Sequence, residues 1–135
     1  GEPITVYGDG EQTRSFCDAR DNVRALDLLA SREGGDALVA NVGNDREISM
    51  NALAELIRER AESDSPISHV PYLQAYGEDF EDIQRRRPDL TRLRTLTDFQ
   101  HRYTLEDTLD ELIRERRIAL TGTEHGHRPL VCHQS

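Results

Sequence analysis

Three short apolar runs, separated by stretches with helical spacing, leave few folds open to this chain. "PITVY", Pro3 to Tyr7, alternates and carries β-branched residues, and Gly8-Asp9-Gly10 punctuates it as a turn. "ALVANVG", Ala37 to Gly43, is almost continuously apolar and reads as a strand buried on both faces. "PISHVPY", Pro66 to Tyr72, is a third short strand. Between the first two, "DNVRALDLLAS" sets Val23, Leu26, Leu29 and Ala30 at helical spacing, with Asp21 as the expected N-cap and Gly34-Gly35 as the stop. After the second, Ser49 caps "MNALAELIRERAE", whose Met50, Leu53, Ala54 and Ile57 form one stripe.

The polar stretch "LQAYGEDFEDIQRRRPD" has little periodicity and reads as a loop. "DLTRLRTLTDF" reads as a short helix with Leu90, Leu93 and Leu96 inward. Thr104 and Asp107 resemble a capping box opening "LEDTLDELIRERR", whose Leu105, Leu109, Leu112 and Ile113 define a core face. The predicted order is β-α-β-α-β-loop-α-α, an α/β fold with some parallel pairing. Residues 1–117 form one unit and 118–135 a tail without period. The doubly buried character of "ALVANVG" asks for neighbouring strands, so the pattern is that of part of a larger sheet.

A formal charge of −9 argues against a nucleic-acid surface, and no apolar run approaches the ~20 residues that span a bilayer. The two cysteines, Cys17 and Cys132, give no disulfide framework and suit a reducing cytoplasm. All 17 basic residues are Arg. An acid-rich chain without Lys fits a high-GC genome or a high-salt cytoplasm, where carboxylates keep a protein soluble. It also rules out a P-loop Lys, a Schiff-base Lys and a Tyr-x-x-x-Lys dyad within these residues.

Two places concentrate cations. Arg14 follows the first strand and turn, where α/β folds place ligands, and its planar fork suits phosphate. Arg85, Arg86, Arg87, Arg92 and Arg94 form a positive island in an acidic chain. Two arginines from separate segments suit a diphosphate. The other reading is a solvated face paired with Glu78, Asp79, Glu81 and Asp82. His125, His127, Cys132 and His133 lack standard zinc spacing and read as tail; His69 and His101 read as solvent-facing, and Cys17 as a packing residue.

With these features in hand, "ITVYGDGEQTRSF", the Asp-Asn-Val-Arg-Ala-Leu helix, "NVGNDREISMNALAELI" and "RRRPDLTRLRTLTDFQHRYTLEDTLDELI" resemble the C-terminal part of extended short-chain dehydrogenases. Within that group the likeness is to NAD-dependent nucleotide-sugar epimerases and dehydratases, above all UDP-glucuronate decarboxylases and UDP-glucose 4-epimerase-like proteins. It runs from about Pro3 to Arg117. The resemblance implies a partial, C-terminal substrate-binding subdomain of a Rossmann-type enzyme. It implies that Thr5 and Tyr7 lie near the nucleotide base, that Arg14 and Arg86 bind the diphosphate, and that Asn41 lies near the nucleotide. The partner would be a nucleotide-diphosphate sugar.

The chain departs from the family after "RSF", where Asp18 and Ala19 replace an aromatic or His and a hydrophobic residue; a carboxylate there would oppose anion binding. The family's Gly-x-x-Gly-x-x-Gly loop and Tyr-x-x-x-Lys dyad belong to an N-terminal Rossmann half and do not occur in this sequence. No cofactor is therefore expected on these residues, whereas a complete member would hold NAD with that half supplied in cis or in trans. The second expectation is a non-catalytic acidic interaction module of the same fold, covering unpaired strands by self-association.

Overall fold

The computed structural model describes residues 1–32, 39–76 and 82–122. Its elements are β1 (Ile4–Tyr7), β2 (Thr13–Arg14), α1 (Ala19–Ala30), β3 (Ile48–Ser49), α2 (Met50–Arg60), β4 (Ile67–Val70), α3 (Tyr72–Tyr76), β5 (Arg85–Arg86), α4 (Thr91–Leu96) and α5 (Leu105–Gly122). β1 and β4 pair in parallel, from Ile4 opposite Ile67 to Tyr7 opposite Val70. Val6, on the inward side of β1, is buried, and α2 packs along the strand. The turn after β1 uses Gly8 at φ +73° and Gly10 at φ +77°. A side chain at Gly10 would run into the Asn51 amide at the start of α2, so the close approach of turn and helix requires glycine there.

A second sheet, in the order β3-β2-β5, is built from strands too short to show a period in the sequence. β2 runs antiparallel to β3 and parallel to β5, and its register sets Thr13 beside Arg85 and Arg14 beside Arg86. The segment expected to be a loop therefore contains both α3 and β5.

Both expected caps beyond α1 form. Ser49 Oγ accepts from Ala52 N at 3.1 Å. Thr104 and Asp107 close a reciprocal box: Asp107 N donates to Thr104 Oγ1 at 3.1 Å and Thr104 N to Asp107 Oδ2 at 2.9 Å. α5 continues past Arg117 to Gly122, so the first part of the expected tail is helical. The remainder of that tail, with His125, His127, Cys132 and His133, lies outside the described residues.

Three expectations are corrected. The N-cap of α1 is Asp18, whose carboxylate accepts from Arg20 N at 2.9 Å. Asp21 lies within the first turn and is fully buried. Next, the helix turns a different face inward. Ala25, with Leu28 and Leu29, packs on Leu90, Leu93 and Phe99, while Val23 and Leu26 stay 66% and 59% exposed. Both stripes of α1 are apolar, and the winner is the one that brings Asp21 onto its buried partners. Lastly, the described part of "ALVANVG" is not a strand. Val39 is 80% exposed, and no strand of either sheet pairs with residues 39–43. A strand with two buried faces needs neighbours on both edges, and the two small sheets offer it none.

Candidate functional site

The sheet β3-β2-β5 gathers the two cationic centres. Residues paired across parallel strands share a face, so Arg14 and Arg86 stand side by side. Like charges in that position repel. They open onto a cavity of about 750 Å³ whose wall also includes Phe16, Asn41, Asn44 and Arg87. Asn41 is held there by its Nδ2, which donates to the Asp89 carbonyl at 3.1 Å. Of the five residues expected to bind substrate, the structure brings Arg14, Asn41 and Arg86 together. Thr5 and Tyr7 instead line a separate, smaller cavity of about 220 Å³ between β1 and α2.

Part of the positive island is paired from the segment before β3, a pairing the sequence does not reveal. Arg85 clasps Glu47 through Nε at 2.8 Å and Nη2 at 2.6 Å. Arg94 pairs with Asp45 at 2.8 Å. Glu47 also accepts from Thr13 Oγ1 at 2.9 Å, and the Arg85 and Thr13 hydrogen bonds pull its carboxyl down to about 2. The expected acidic partners behave differently. Asp82 pairs with Arg14, at 2.5 Å, rather than with the island; Glu78, Asp79 and Glu81 lie outside the described residues. Among the described residues Arg86 makes no ion pair, and it faces the cavity beside Arg14.

Around Arg14 lies a network that sequence reasoning missed. Its Nη1 donates to the carbonyls of Thr13 at 2.8 Å and Ile83 at 2.7 Å, and its Nη2 to Asp82 Oδ1. Asp82 Oδ2 accepts from Tyr72 Oη at 2.6 Å, and Tyr72 Oη accepts from Gln12 Nε2 at 2.7 Å. Burial, then the adjacent Asp82 carboxylate, pushes the Tyr72 phenol up to about 12, so Tyr72 stays a donor throughout the neutral range. Gln12 sits inside the opening stretch "GDGEQTR", but nothing local marks it as a partner of Tyr72, sixty positions away.

Asp18 is removed from the cavity altogether. It is 8% exposed and grips Arg20 Nε and Nη2 at 2.9 and 2.8 Å and Thr108 Oγ1 at 2.7 Å. Its carboxylate is thus spent on tying α1 to α5, and the expectation that it opposes an anion at Arg14 is corrected. The Arg20 hydrogen bond outweighs burial and holds its carboxyl far below the ordinary 3.8. A folded-state value below the unfolded one stabilises fully above about pH 4, and the stabilisation is lost as pH falls from there toward the folded value. Asp18→Asn, which keeps an acceptor for the cap, costs about 1 kcal/mol at pH 7. Urea midpoints measured from pH 7 to pH 2 will show that difference shrinking at the acid end.

Among the described residues, His69, His101 and Cys17 carry no site. His69 Nε2 meets Asn51 Oδ1 at 2.8 Å on the surface. His101, expected in solvent, is half-buried: its Nε2 lies 2.7 Å from the Gly43 carbonyl and its ring stands edge-on to Phe99. Burial, with Asp21 and Asp18 nearby, raises the Cys17 thiol to about 11 and keeps it unreactive. Among the described residues no cluster of His, Cys, Asp and Glu could hold a metal ion, and no helix is long and apolar enough to cross a membrane.

Comparison with known proteins places this α/β framework. A profile described as the NAD dependent epimerase/dehydratase family matches residues 1–43. A UDP-N-acetyl-alpha-D-glucosaminuronate decarboxylase from Bacillus cytotoxicus is 36% identical over 113 residues, covering 84% of this chain and 35% of that protein. UDP-glucuronic acid decarboxylase 4 from Arabidopsis thaliana is 32% identical over 123 residues, covering 91% of this chain and 26% of its own length. The crystal structure of UDP-glucose 4-epimerase from Thermotoga maritima, solved with UDP-glucose, superposes with a TM-score of 0.73 at 29% identity, covering 88% of this chain and 36% of that one. Over 84% to 91% of its own length the chain is thus similar to part of these decarboxylases, and the NAD dependent epimerase/dehydratase family model matches its first 43 residues. The chain spans between 26% and 36% of the length of these relatives.

Proposed function

We propose that this chain is the C-terminal, substrate-side portion of an NAD-dependent enzyme acting on nucleotide-diphosphate sugars, and that the cavity at β2 and β5 receives the diphosphate. The observation that carries this is the parallel register of Arg14 against Arg86, with Asn41 on the same cavity wall. Asp82 offsets the charge of Arg14, whereas Arg86 beside it makes no ion pair among the described residues, so an anion at this place is favoured. A diphosphate, with one charge or more on each phosphoryl group, can reach both guanidinium groups. Thr5 and Tyr7, on the separate cavity between β1 and α2, take no part in this diphosphate site.

The residues present do not fit a nicotinamide cofactor. The sequence has no Gly-x-x-Gly-x-x-Gly loop and no Lys for a Tyr-x-x-x-Lys dyad. NAD, hydride transfer and proton transfer therefore belong to a Rossmann half provided in cis or in trans, and the chain alone binds without turning over. What its own residues contribute is binding and orientation.

Isothermal titration of the chain with UDP, UDP-glucose and UDP-glucuronate tests the reading. Binding is expected, and Arg86→Ala weakens it about tenfold, the effect of losing one charge-assisted contact. Absence of heat with all three ligands, or an Arg86→Ala variant that binds unchanged, overturns it.

A second reading rests on the outward face of α1. Ala19, Val23, Leu26 and Ala30 are exposed in one stripe along the helix. In a non-catalytic interaction module that stripe would be covered by a second copy. Sedimentation showing a concentration-independent monomer removes this reading.

A further inference from the structure

Asp82, Tyr72 and Gln12 form a brace whose purpose follows from counting the donors of Arg14. A guanidinium has five N–H groups. Both on Nη1 are taken, by the Thr13 and Ile83 carbonyls, and one on Nη2 is taken by Asp82 Oδ1. The Nε–H and the second Nη2–H have no acceptor among the described residues, while Arg14 lines the large cavity. The side chain is only 24% exposed and its partner carboxylate 17%. The brace is also anchored from two sides of the fold. Tyr72 begins α3, directly after β4, and Gln12, 4% exposed, precedes β2 and hydrogen-bonds the Tyr7 carbonyl at the end of β1 at 2.9 Å.

We propose that Asp82 is a positioning residue for anion binding: it fixes the plane of Arg14 so that the two remaining donors meet an oxyanion in the cavity, and Tyr72 and Gln12 fix Asp82. A free arginine surrenders several rotors when it grips a ligand. Arg14 has already surrendered them to protein acceptors, so an incoming phosphoryl group meets an oriented donor pair. The carboxylate exerts an opposite effect as well, because its charge offsets that of Arg14. Orientation and charge separate experimentally, since Asn keeps the acceptor oxygen without the charge and Ala keeps neither.

This inference rests on the proposed diphosphate site, and UDP is the probe for both. With UDP titrated into the full chain, Asp82→Ala is expected to weaken binding about tenfold, whereas Asp82→Asn binds within about threefold of the parent or more tightly. Tyr72→Phe, which removes a single hydroxyl, weakens binding about threefold and serves should Asp82→Ala fail to fold by circular dichroism. Asp82→Ala binding UDP as tightly as the parent, or better, would show the carboxylate to be a competitor and overturns the inference. An Asp82→Asn variant as weak as Asp82→Ala also overturns it. If the parent chain itself gives no UDP binding, the diphosphate site fails and this inference with it; if the parent binds and the Asp82 variants do not follow the pattern, only the positioning role fails.

Discussion

Asp21→Ala lowers the unfolding free energy by about 3–5 kcal/mol, the range for breaking a buried ion pair by removing one partner. The carboxylate is fully buried. It accepts from Arg24 Nη2 at 2.9 Å, from the amide of Arg102 at 3.0 and 3.1 Å to its two oxygens, and from the amide of Tyr103 at 3.1 Å. Burial alone would raise its pKa; the Arg24 hydrogen bond and the two amides overcome that and hold it below the ordinary value. Truncation leaves two backbone N–H groups without an acceptor, and a guanidinium whose buried Nε already lacks one among the described residues. Asp21→Asn retains acceptor capacity and costs less, so the pair of variants separates charge from hydrogen bonding. Urea unfolding followed by circular dichroism measures both. A loss below about 1 kcal/mol for the alanine variant would mean that α1 is not held by this carboxylate.

Leu93→Ala costs about 3 kcal/mol, within the span for emptying a fully buried leucine site. Leu93 has no exposed surface and packs with Leu90, Phe99 and Ala25. This is the main cluster of buried apolar residues described, so little remains nearby to collapse into the space. The effect should reach the site as well. α4 follows Arg86, Arg87 and Asp89, and Leu90 and Leu93 are what seat it. Loosening α4 frees the Asp89 carbonyl that holds Asn41. The variant is therefore expected to bind UDP more weakly as well as to unfold earlier. Leu96→Ala, at a half-buried position on the same helix, serves as the milder comparison.

Local patterns carried much of the fold. The β1 and β4 strands, the Ser49 cap, the Thr104–Asp107 box and the inward Leu90 and Leu93 all depend on neighbours within a few residues, and all are legible in the sequence. The face of α1 was not legible, because both of its stripes are apolar and the choice is made by Arg102 and Tyr103, eighty positions away. Strands of two residues, such as β2, β3 and β5, carry no period at all; they exist because their partners are in place. For the site, the two cationic centres could be read from the chain, but their counter-ions could not. Glu47 and Asp45 pair with Arg85 and Arg94, and Asp82, one of several acids in the stretch, turns out to serve Arg14.

What the sequence by itself determined is the chemistry available: arginine as the sole strong cation, no lysine for a proton-transfer dyad, and two arginine centres with family-like spacing. What only the tertiary structure decided is which of those charges remains available to a ligand. Ion pairing acts over a few ångströms and is indifferent to distance along the chain, so it is fixed when strands find their register. The parallel pairing of β2 with β5 sets Arg14 beside Arg86, and the brace from Asp82 decides how Arg14 faces the cavity.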